Sequence, residues 1–475
     1  MNGQVLTRVQ DVKIPLWIKL CFASNGFARM LQSAFNNLYL VYFWTDIMAI
    51  DGKIISLVMV INKAWDIIND PMLGAIVDRT ESKEGKCRFW LKYFSVPGGL
   101  LWVLIFLIPD TTPTLQIAWF TFFYILSSMA GTANNIPANA LMGRITSNKT
   151  ERSKINQINT ILSVLGSWVG MTFSLPLANL LMANNIRLGL GLVALIYGVL
   201  YSVCFLTAWA ATKGYEPLEH LEGHHESSSA APAPKKKVPI SASINAIVHN
   251  KFWLLCVLIY LAYTAGESLM QSSMVQYYMY NLQDTNLISI FSSISTPASL
   301  VGVVFLTFFI KRLGNAGTAA LGCTFAAVGY LLRFILADAY FPALVGCWAM
   351  TSFGGGLIGG TIVLCMYDSR VYGRWKTGVD NDAILMSGFT TSAKIGMAVG
   401  GPLSAFLLSF TNYAPQASVQ GADVLTLLRL ENSIIPCCCM AVGAISAFIV
   451  RKYEKRLPEM QAEIDAREAA EAEQL

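Results

Sequence analysis

Three polar side chains stand close together inside an apolar segment of the chain. Asp66, Asn69 and Asp70 follow Trp65 within the stretch 53–78, which is otherwise rich in aliphatic residues. Residues three and four apart lie on one face of a helix, so a helical segment would aim these oxygens at one point. Two carboxylates there repel each other unless a cation or a proton joins them. The spacing therefore predicts a buried cation site.

A simpler alternative is that these carboxylates only cap a helix end or pair with a nearby base. Arg29 and Lys63 are the basic residues available for such a pair. Ionisable groups inside an apolar span are costly and usually mark ion or substrate pathways. We therefore favour the cation site.

The composition explains why buried charge would be expensive here. The chain of 475 residues is 54% hydrophobic and 13% charged, with a mean hydropathy of +0.50, far more apolar than a soluble globular protein. Long uniform apolar segments favour α-helical spans over the short alternating strands of a barrel. We predict twelve spans, at residues 16–48, 53–78, 89–108, 115–143, 156–182, 188–211, 252–281, 287–310, 317–337, 341–366, 382–410 and 426–450.

Basic residues alternate between the two sides of these spans. With the N-terminus inside, nearly all lysines and arginines between spans fall on the cytoplasmic side, and the outer loops hold only Lys53 and Arg187. The positive-inside rule then places both termini in the cytoplasm. We expect a multi-pass protein of the cell membrane (the inner or plasma membrane) in contact with membrane lipid.

One hydrophilic break divides the spans six and six. We predict an N-terminal half at 1–211, a cytoplasmic linker at 212–250, a C-terminal half at 251–455 and a cytoplasmic tail at 456–475. The strings Leu31-Gln32-Ser33 and Met270-Gln271-Ser272, each followed by an aromatic run, suggest that the halves are repeats. Repeated halves of this kind commonly surround a site near the membrane midplane.

Several longer motifs occur in a fixed order along the chain. They are Trp65-Asp66-Ile67-Ile68-Asn69-Asp70-Pro71, the segment from Asp78 and Arg79 to Arg88, and Tyr372-Gly373-Arg374-Trp375-Lys376-Thr377-Gly378 in a predicted loop after the tenth span. In these motifs the sequence resembles the glycoside–pentoside–hexuronide:cation symporters of the major facilitator superfamily, the group that includes melibiose permease. The resemblance covers nearly the whole chain.

The resemblance implies an all-α membrane fold of two six-helix halves and transport by alternating access. A sugar-like solute would bind between the halves, with a monovalent cation beside it. Asp66, Asn69 and Asp70 match the family's cation ligands, and Thr132 falls where the family supplies a hydroxyl. Hard cations prefer such oxygen ligands. The coupling ion is Na⁺ or H⁺, and the neutral ligands Asn69 and Thr132 favour Na⁺.

The family's sugar-binding residues are matched poorly. Arg29 corresponds to a basic position, but Met30 and Asn135 replace carboxylates, Asn139 replaces an aromatic residue, and Gly359 replaces a tryptophan. These changes remove hydroxyl acceptors and a stacking surface. The resemblance therefore argues against a melibiose-like galactoside as the substrate.

The remaining polar residues of the expected cavity form the predicted substrate site. They are Arg29, Gln32, Asn135, Asn139, Glu267, Gln271, Thr390 and Lys394, and Asn134 is also expected in the cavity. Neutral amides donate and accept hydrogen bonds, which suits a hydroxylated solute. Arg29 and Lys394 would also tolerate an anionic group such as a uronate or sulfonate. Alternatively, Arg29 pairs with Asp66 or Asp70, and Lys394 with Glu267. For Arg333 and Arg429, near span ends, we expect snorkelling to the membrane surface.

The sequence contains no Walker motif, no HExxH and no arrangement typical of a Ser-His-Asp triad. We expect no enzymatic activity, no catalytic residues, no cofactor and no nucleic-acid partner, and a monomer. The leading hypothesis is a cation-coupled secondary symporter that imports a sugar-like solute. The alternatives are a non-transporting membrane sensor or scaffold, and an exporter or uniporter of a small sugar-derived anion such as a sulfonated sugar.

Overall fold

A computed structural model describes residues 14–146, 149–216, 250–336, 341–377, 382–415, 417 and 419–472. The chain forms two compact units, Met1–Ser227 and Ser228–Leu475. The division falls inside the predicted linker, most of which, 217–249, lies outside the described residues.

The first unit contains six helical spans. They are α1 (Leu16–Tyr42, continued by a π-helical turn Phe43–Ile47), α2 (Gly52–Asp78), α3 (Lys86–Phe106), α4 (Pro113–Ile145), the bent pair α5 (Lys149–Thr172) and α6 (Ser174–Leu181), and α7 (Ile186–Ala211). Helix α1 packs on α5 and α7, α3 packs on α4 and α7, and α2 packs on α4.

The second unit contains six further spans and a tail helix. They are α8 (Lys251–Gln276, continued by a π-helical turn Tyr277–Asn281), α9 (Leu287–Leu336), α10 (Phe341–Thr377), α11 (Asp382–Leu408), α12 (Ala422–Asn432) with α13 (Ile434–Glu454), and the tail helix α14 (Leu457–Ala472). Gly314 breaks α9 into two spans, with φ 79° and ψ 178°. Helix α8 packs on α11 and α13, and α9 packs on α10 and α13.

The twelve predicted spans are confirmed, with ends that shift by a few residues in most cases. Within the described residues, six helices are long and apolar enough to cross a membrane, and the bent pair α5–α6 makes a seventh. Helix α9 counts once there although it provides two spans. In the described part of the chain, helices α1, α2, α4 and α11 do not pass that test, and these are the helices that carry many of the predicted site residues.

One predicted loop is wrong. The segment Asp368–Lys376 lies beyond the predicted end of the tenth span at residue 366, but α10 continues as a helix to Thr377. The reason is tertiary packing, because Tyr372 is buried against Phe252 of α8 and Tyr453 of α13. The tail helix also contacts this end of α10, since Trp375 donates from its indole nitrogen to a carboxylate oxygen of Glu463 at 2.7 Å.

The two units repeat the same unusual backbone features. In each, the first helix ends in a five-residue π-helical turn, and a non-glycine residue with φ 53° follows it, Ala49 in one unit and Gln283 in the other. This supports the predicted repeat. However, the turns at Phe43 and Tyr277 show that the matched strings Leu31-Gln32-Ser33 and Met270-Gln271-Ser272 are five residues out of register.

A carboxylate holds the start of the third span in each unit, buried in the first unit and partly buried in the second. Glu216 accepts from the backbone N–H of Cys87 at 2.8 Å and of Arg88 at 3.0 Å. In the second unit, Glu454 accepts from the backbone N–H of Asn315 at 2.5 Å and of Ala316 at 3.1 Å. We call each arrangement a carboxylate clasp. It satisfies two of the N–H groups that a helix start leaves without partners.

A glycine precedes each clasped helix and makes the clasp possible. Gly85 has φ 103° and Gly314 has φ 79°, values that only glycine adopts readily. A Cβ atom at Gly85 would stand 2.3 Å from a carboxylate oxygen of Glu216, and one at Gly314 would stand 2.7 Å from Glu454. The conformation and the close approach therefore both require glycine.

Charged residues around the first clasp tie its helices together within the first unit. The Nη1 atom of Arg144 lies 3.3 Å from Oε1 of Glu216, and Arg88 donates to the backbone carbonyl of Trp209. Lys92 donates to the Glu84 carboxylate, and this hydrogen bond holds the pKa of the Glu84 carboxyl below its usual range. Several basic residues whose cytoplasmic position the positive-inside rule alone would explain thus also make specific contacts.

Candidate cation and solute site

Helix α2 turns its carboxylates towards hydroxyl groups on α4. Ser128 donates to Oδ1 of Asp66, and Thr132 donates to Oδ1 of Asp70 at 3.1 Å. Ser128 and Thr132 are one turn apart on α4, as Asp66 and Asp70 are on α2. Two carboxylate–hydroxyl hydrogen bonds therefore join α2 to α4 on successive helical turns. The structure places Thr132 beside Asp70, as the family resemblance implies.

Asn69 is the most buried member of this group. Its side chain is 0% exposed, and neither its amide oxygen nor its amide nitrogen has a hydrogen-bond partner among the described residues. A buried polar group without a partner costs roughly 1–3 kcal/mol. Asn69 directly precedes Asp70 in α2, so its free amide oxygen could provide a further ligand for a hard cation.

The basic neighbours of the carboxylates also have defined positions. Lys63 lies one turn before Asp66, with its ammonium nitrogen 3.7 Å from Oδ2 of that carboxylate. The alternative of an ion pair with Lys63 is therefore realised. Arg29 instead donates to the amide oxygen of Asn139 at 3.5 Å, so the alternative pairing of Arg29 with Asp66 or Asp70 is wrong.

Arg29 is weakly satisfied in this arrangement. Its single hydrogen bond to Asn139 is long, and its buried Nε atom has no partner among the described residues. Gln32 lies nearly one turn further along α1, and Asn135 one turn before Asn139 on α4, and both are partly exposed. The structure thus brings Arg29 and Asn139 together.

Ser128 was missed by sequence reasoning, and Asn134 was assigned wrongly. Ser128 could have been found, because it precedes Thr132 by one helical turn. Asn134, expected in the cavity, is 0% exposed and donates to the Phe94 carbonyl at 2.8 Å and towards the Tyr201 hydroxyl at 3.4 Å. Its neighbours belong to α3 and α7, so it joins helices of the first unit.

The remaining predicted substrate residues belong to the second unit. Glu267, near the middle of the α8 span, accepts from the Tyr330 hydroxyl at 2.8 Å and forms no ion pair within the described part of the chain. The alternative pairing of Glu267 with Lys394 is therefore wrong. Gln271 lies one turn further along α8 and is partly exposed, and Lys394 on α11 is exposed. Thr390 lies on α11, and its side chain is outside the described part of the structure.

The snorkelling expected for Arg333 is also wrong. Its side chain is 2% exposed, donates towards the Tyr278 hydroxyl at 3.3 Å and the Asn432 amide oxygen at 3.4 Å, and lies over the ring of Tyr277 at 5.0 Å. Polar and aromatic side chains therefore hold the Arg333 guanidinium inside the helix bundle, whereas its position near the end of a span predicted that it would reach the membrane surface. Arg429 donates to the Phe334 carbonyl at 2.7 Å.

Solved structures of transporters share this fold. The nucleoside transporter NupG is similar with a TM-score of 0.60 and 13% identity over 91% of this chain and 98% of that chain. A bacterial homologue of the human lysosomal transporter Spinster is similar with a TM-score of 0.66 and 12% identity over 94% and 98%. The protein therefore shares the fold of these transporters.

The sequence comparisons identify the family. The sequence model of the family described as MFS/sugar transport protein matches residues 21–451. The isoprimeverose transporter of Lactiplantibacillus pentosus is 28% identical over 96% of this chain and 93% of the relative. A provisionally named sulfoquinovose importer of Salmonella typhimurium is 26% identical over 96% and 94%. The chain belongs to the sugar-transporting major facilitator family, which confirms the resemblance to the glycoside–pentoside–hexuronide symporters.

The protein is accordingly a multi-pass membrane protein and a secondary transporter of sugar-like solutes.

Proposed function

We propose that the protein is a cation-coupled symporter that imports a sugar-like solute by alternating access. The observation that carries this proposal is the face between α2 and α4, where two carboxylates, two hydroxyls and an unpartnered buried amide lie together. A membrane scaffold has no need of such an expensive cluster. Asp66, Asn69, Asp70 and Thr132, with Ser128 added, are the proposed ligands.

Na⁺ is the coupling ion that this ligand set favours, because neutral oxygen ligands serve a metal cation and are unnecessary for a proton. The proposal is tested with purified protein in proteoliposomes, using radiolabelled isoprimeverose, galacturonate and sulfoquinovose as probes. We expect an inward Na⁺ gradient to drive accumulation of at least one probe. Uptake that responds to a pH gradient but is indifferent to Na⁺ would contradict the choice of Na⁺.

The two hydroxyls should set the affinity for the ion. We expect Ser128→Ala or Thr132→Ala to raise the Na⁺ concentration for half-maximal uptake about tenfold, which corresponds to about 1.4 kcal/mol. Ser127→Ala on the same turn is the matched control, since Ser127 makes no hydrogen bond to either carboxylate. Unchanged Na⁺ dependence in both variants would remove the hydroxyls from the proposed ligand set.

We further infer that the solute carries an acidic group. Arg29 has one long hydrogen bond and a buried nitrogen without a partner within the described residues, so an anionic solute could complete its interactions. The name of the sulfoquinovose importer, a relative with a sulfonated substrate, agrees with this class. The sugar hydroxyls would meet amides such as Asn135 and Asn139.

Binding should therefore distinguish an acidic sugar from its neutral parent. We expect galacturonate to bind roughly tenfold or more tightly than galactose, in line with the strength of hydrogen bonds to charged groups, and Arg29→Gln to abolish the difference. Arg187→Gln is the control, because Arg187 lies at the start of α7 and pairs with the loop residue Asp110, with 2.5 Å between Nη1 and Oδ1. Equal affinities for both sugars in the unmodified protein, unaltered by Arg29→Gln, would favour a neutral-sugar site.

A further inference from the structure

A second group of buried charges lies within the second unit, apart from the cluster on α2 and α4. Glu431 stands at the end of α12, just before the helix break at Ser433. Its side chain is 0% exposed, and its Oε2 atom accepts from the Ser404 hydroxyl of α11 at 2.9 Å. Its Oε1 atom is buried and has no hydrogen-bond partner among the described residues.

Arg333, the buried cationic group bonded to the neighbouring Asn432, is engaged by other groups. Arg333 is directed at Tyr277, Tyr278 and the amide of Asn432, and its helix also presents Tyr330, which donates to Glu267. No ion pair to Glu431 occurs within the described residues. Glu267, which accepts from Tyr330 one turn before Arg333, interacts electrostatically with this guanidinium, so Arg333 already has a carboxylate other than Glu431 as its countercharge.

An ionised Glu431 would consequently be a buried charge without a counterion. Taking a bare carboxylate out of water costs far more than burying a neutral acid with one hydrogen bond. Adjacent to Glu431, Asn432 donates to the Ser273 hydroxyl of α8 at 3.0 Å. The hydroxyls of Ser404 on α11 and Ser273 on α8, with the amide of Asn432 on α12, are therefore neutral groups near the carboxyl, and they can accommodate its neutral form.

Other titratable groups lie on the helices that pack against α12. On α8 with its π-helical turn, α9, α11 and α13, and on α12 itself, they include Tyr263, Tyr277, Tyr278, Tyr330, Cys323, Lys394, Arg429 and Cys439. Lys394 and Glu431 form no ion pair within the described residues. Arg429 is directed at the Phe334 carbonyl. The tyrosines and cysteines are neutral at physiological pH unless strongly perturbed, so they supply no countercharge.

We propose that Glu431 is a proton-binding site in the second unit, distinct from the cation site on α2, and that Oε1 carries the proton. Its hydrogen-bond donor Ser404 lies on α11, and the adjacent Asn432 is bonded to Ser273 of α8, so a change in the packing of α8, α11 and α12 would expose the carboxyl and release the proton. The protein then binds a proton in addition to the ion held at α2. A role of this proton in coupling rests on the proposed symport, whereas the binding itself does not.

Infrared difference spectroscopy tests the binding directly. Purified full-length protein in detergent is compared between neutral and alkaline buffer, where exposed carboxyls stay ionised throughout, and the C=O stretch of a protonated carboxylic acid is followed. We expect a titrating acid band in the unmodified protein and its loss in Glu431→Gln. The band should remain in Glu267→Gln, in Asp66→Asn of the first unit, and in Glu459→Gln, which removes an exposed carboxyl.

A band that persists in Glu431→Gln would overturn the proposal, as would its loss in Glu267→Gln or Asp66→Asn instead. Thermal melting shows whether each variant is folded. If Glu431→Gln does not fold, Ser404→Ala removes only the hydrogen bond to Oε2 and should shift the frequency of the band. An unshifted band would then contradict the assignment.

Transport separates this proposal from the proposed symport. Na⁺-driven uptake with no Glu431 band would overturn the proton site and leave the symport standing. Loss of the band in Glu431→Gln, with no uptake of any probe, would support the proton site and contradict the symport. If the proton site and the symport are both supported, we expect Glu431→Gln to lose accumulation of solute driven by a pH gradient.

Discussion

Asp66→Asn and Asp70→Asn are each expected to abolish accumulation of substrate against its gradient. Each change removes a charge from the α2–α4 face, where Ser128 and Thr132 donate to the two carboxylates. A monovalent cation held by one carboxylate and neutral oxygens would bind far more weakly, because its countercharge is halved. Exchange of labelled for unlabelled solute should persist at a reduced rate, since the solute site is separate.

The measurement is uptake into proteoliposomes with and without an imposed ion gradient. Asp110→Asn is the matched control, because Asp110 is an exposed loop carboxylate paired with Arg187. Accumulation equal to that of the unmodified protein in either Asp66→Asn or Asp70→Asn would refute the cation site.

Glu216→Gln and Glu454→Gln are expected to destabilise the protein strongly. Each glutamate accepts two backbone N–H groups at a helix start, and a glutamine offers one acceptor where the carboxylate offered two. Hydrogen bonds to a charged group contribute about 1.5–3 kcal/mol each. We expect a loss of about 2–4 kcal/mol and a fall of roughly 5–10 °C in the apparent melting temperature.

Thermal scanning in detergent measures this change. Glu81→Gln, an exposed residue of the loop before α3, and Glu459→Gln, an exposed residue of the tail helix, are the controls. Because the two clasps are equivalent features of repeated units, both substitutions should act in the same direction. Melting temperatures indistinguishable from those of the controls would mean that the clasps contribute little to stability.

The spans and the family were readable from the sequence because they depend on composition and on local spacing. Apolar segments long enough to cross a bilayer become helices wherever backbone groups must satisfy one another. The carboxylates of α2 were found for the same reason, since a spacing of four residues places Asp66 and Asp70 on one face whatever surrounds the helix.

Contacts between helices were decided only by the tertiary structure. The pairing of Asp66 with Ser128, the clasp that joins Glu216 to the start of α3, and the burial of Arg333 each link residues far apart in the chain. Local pattern carries no information about which face of one helix meets which face of another. For that reason the sequence pattern predicts that Arg333 snorkels and that Asn134 lines the cavity. In the folded protein, packing gives both side chains hydrogen-bond partners in the interior.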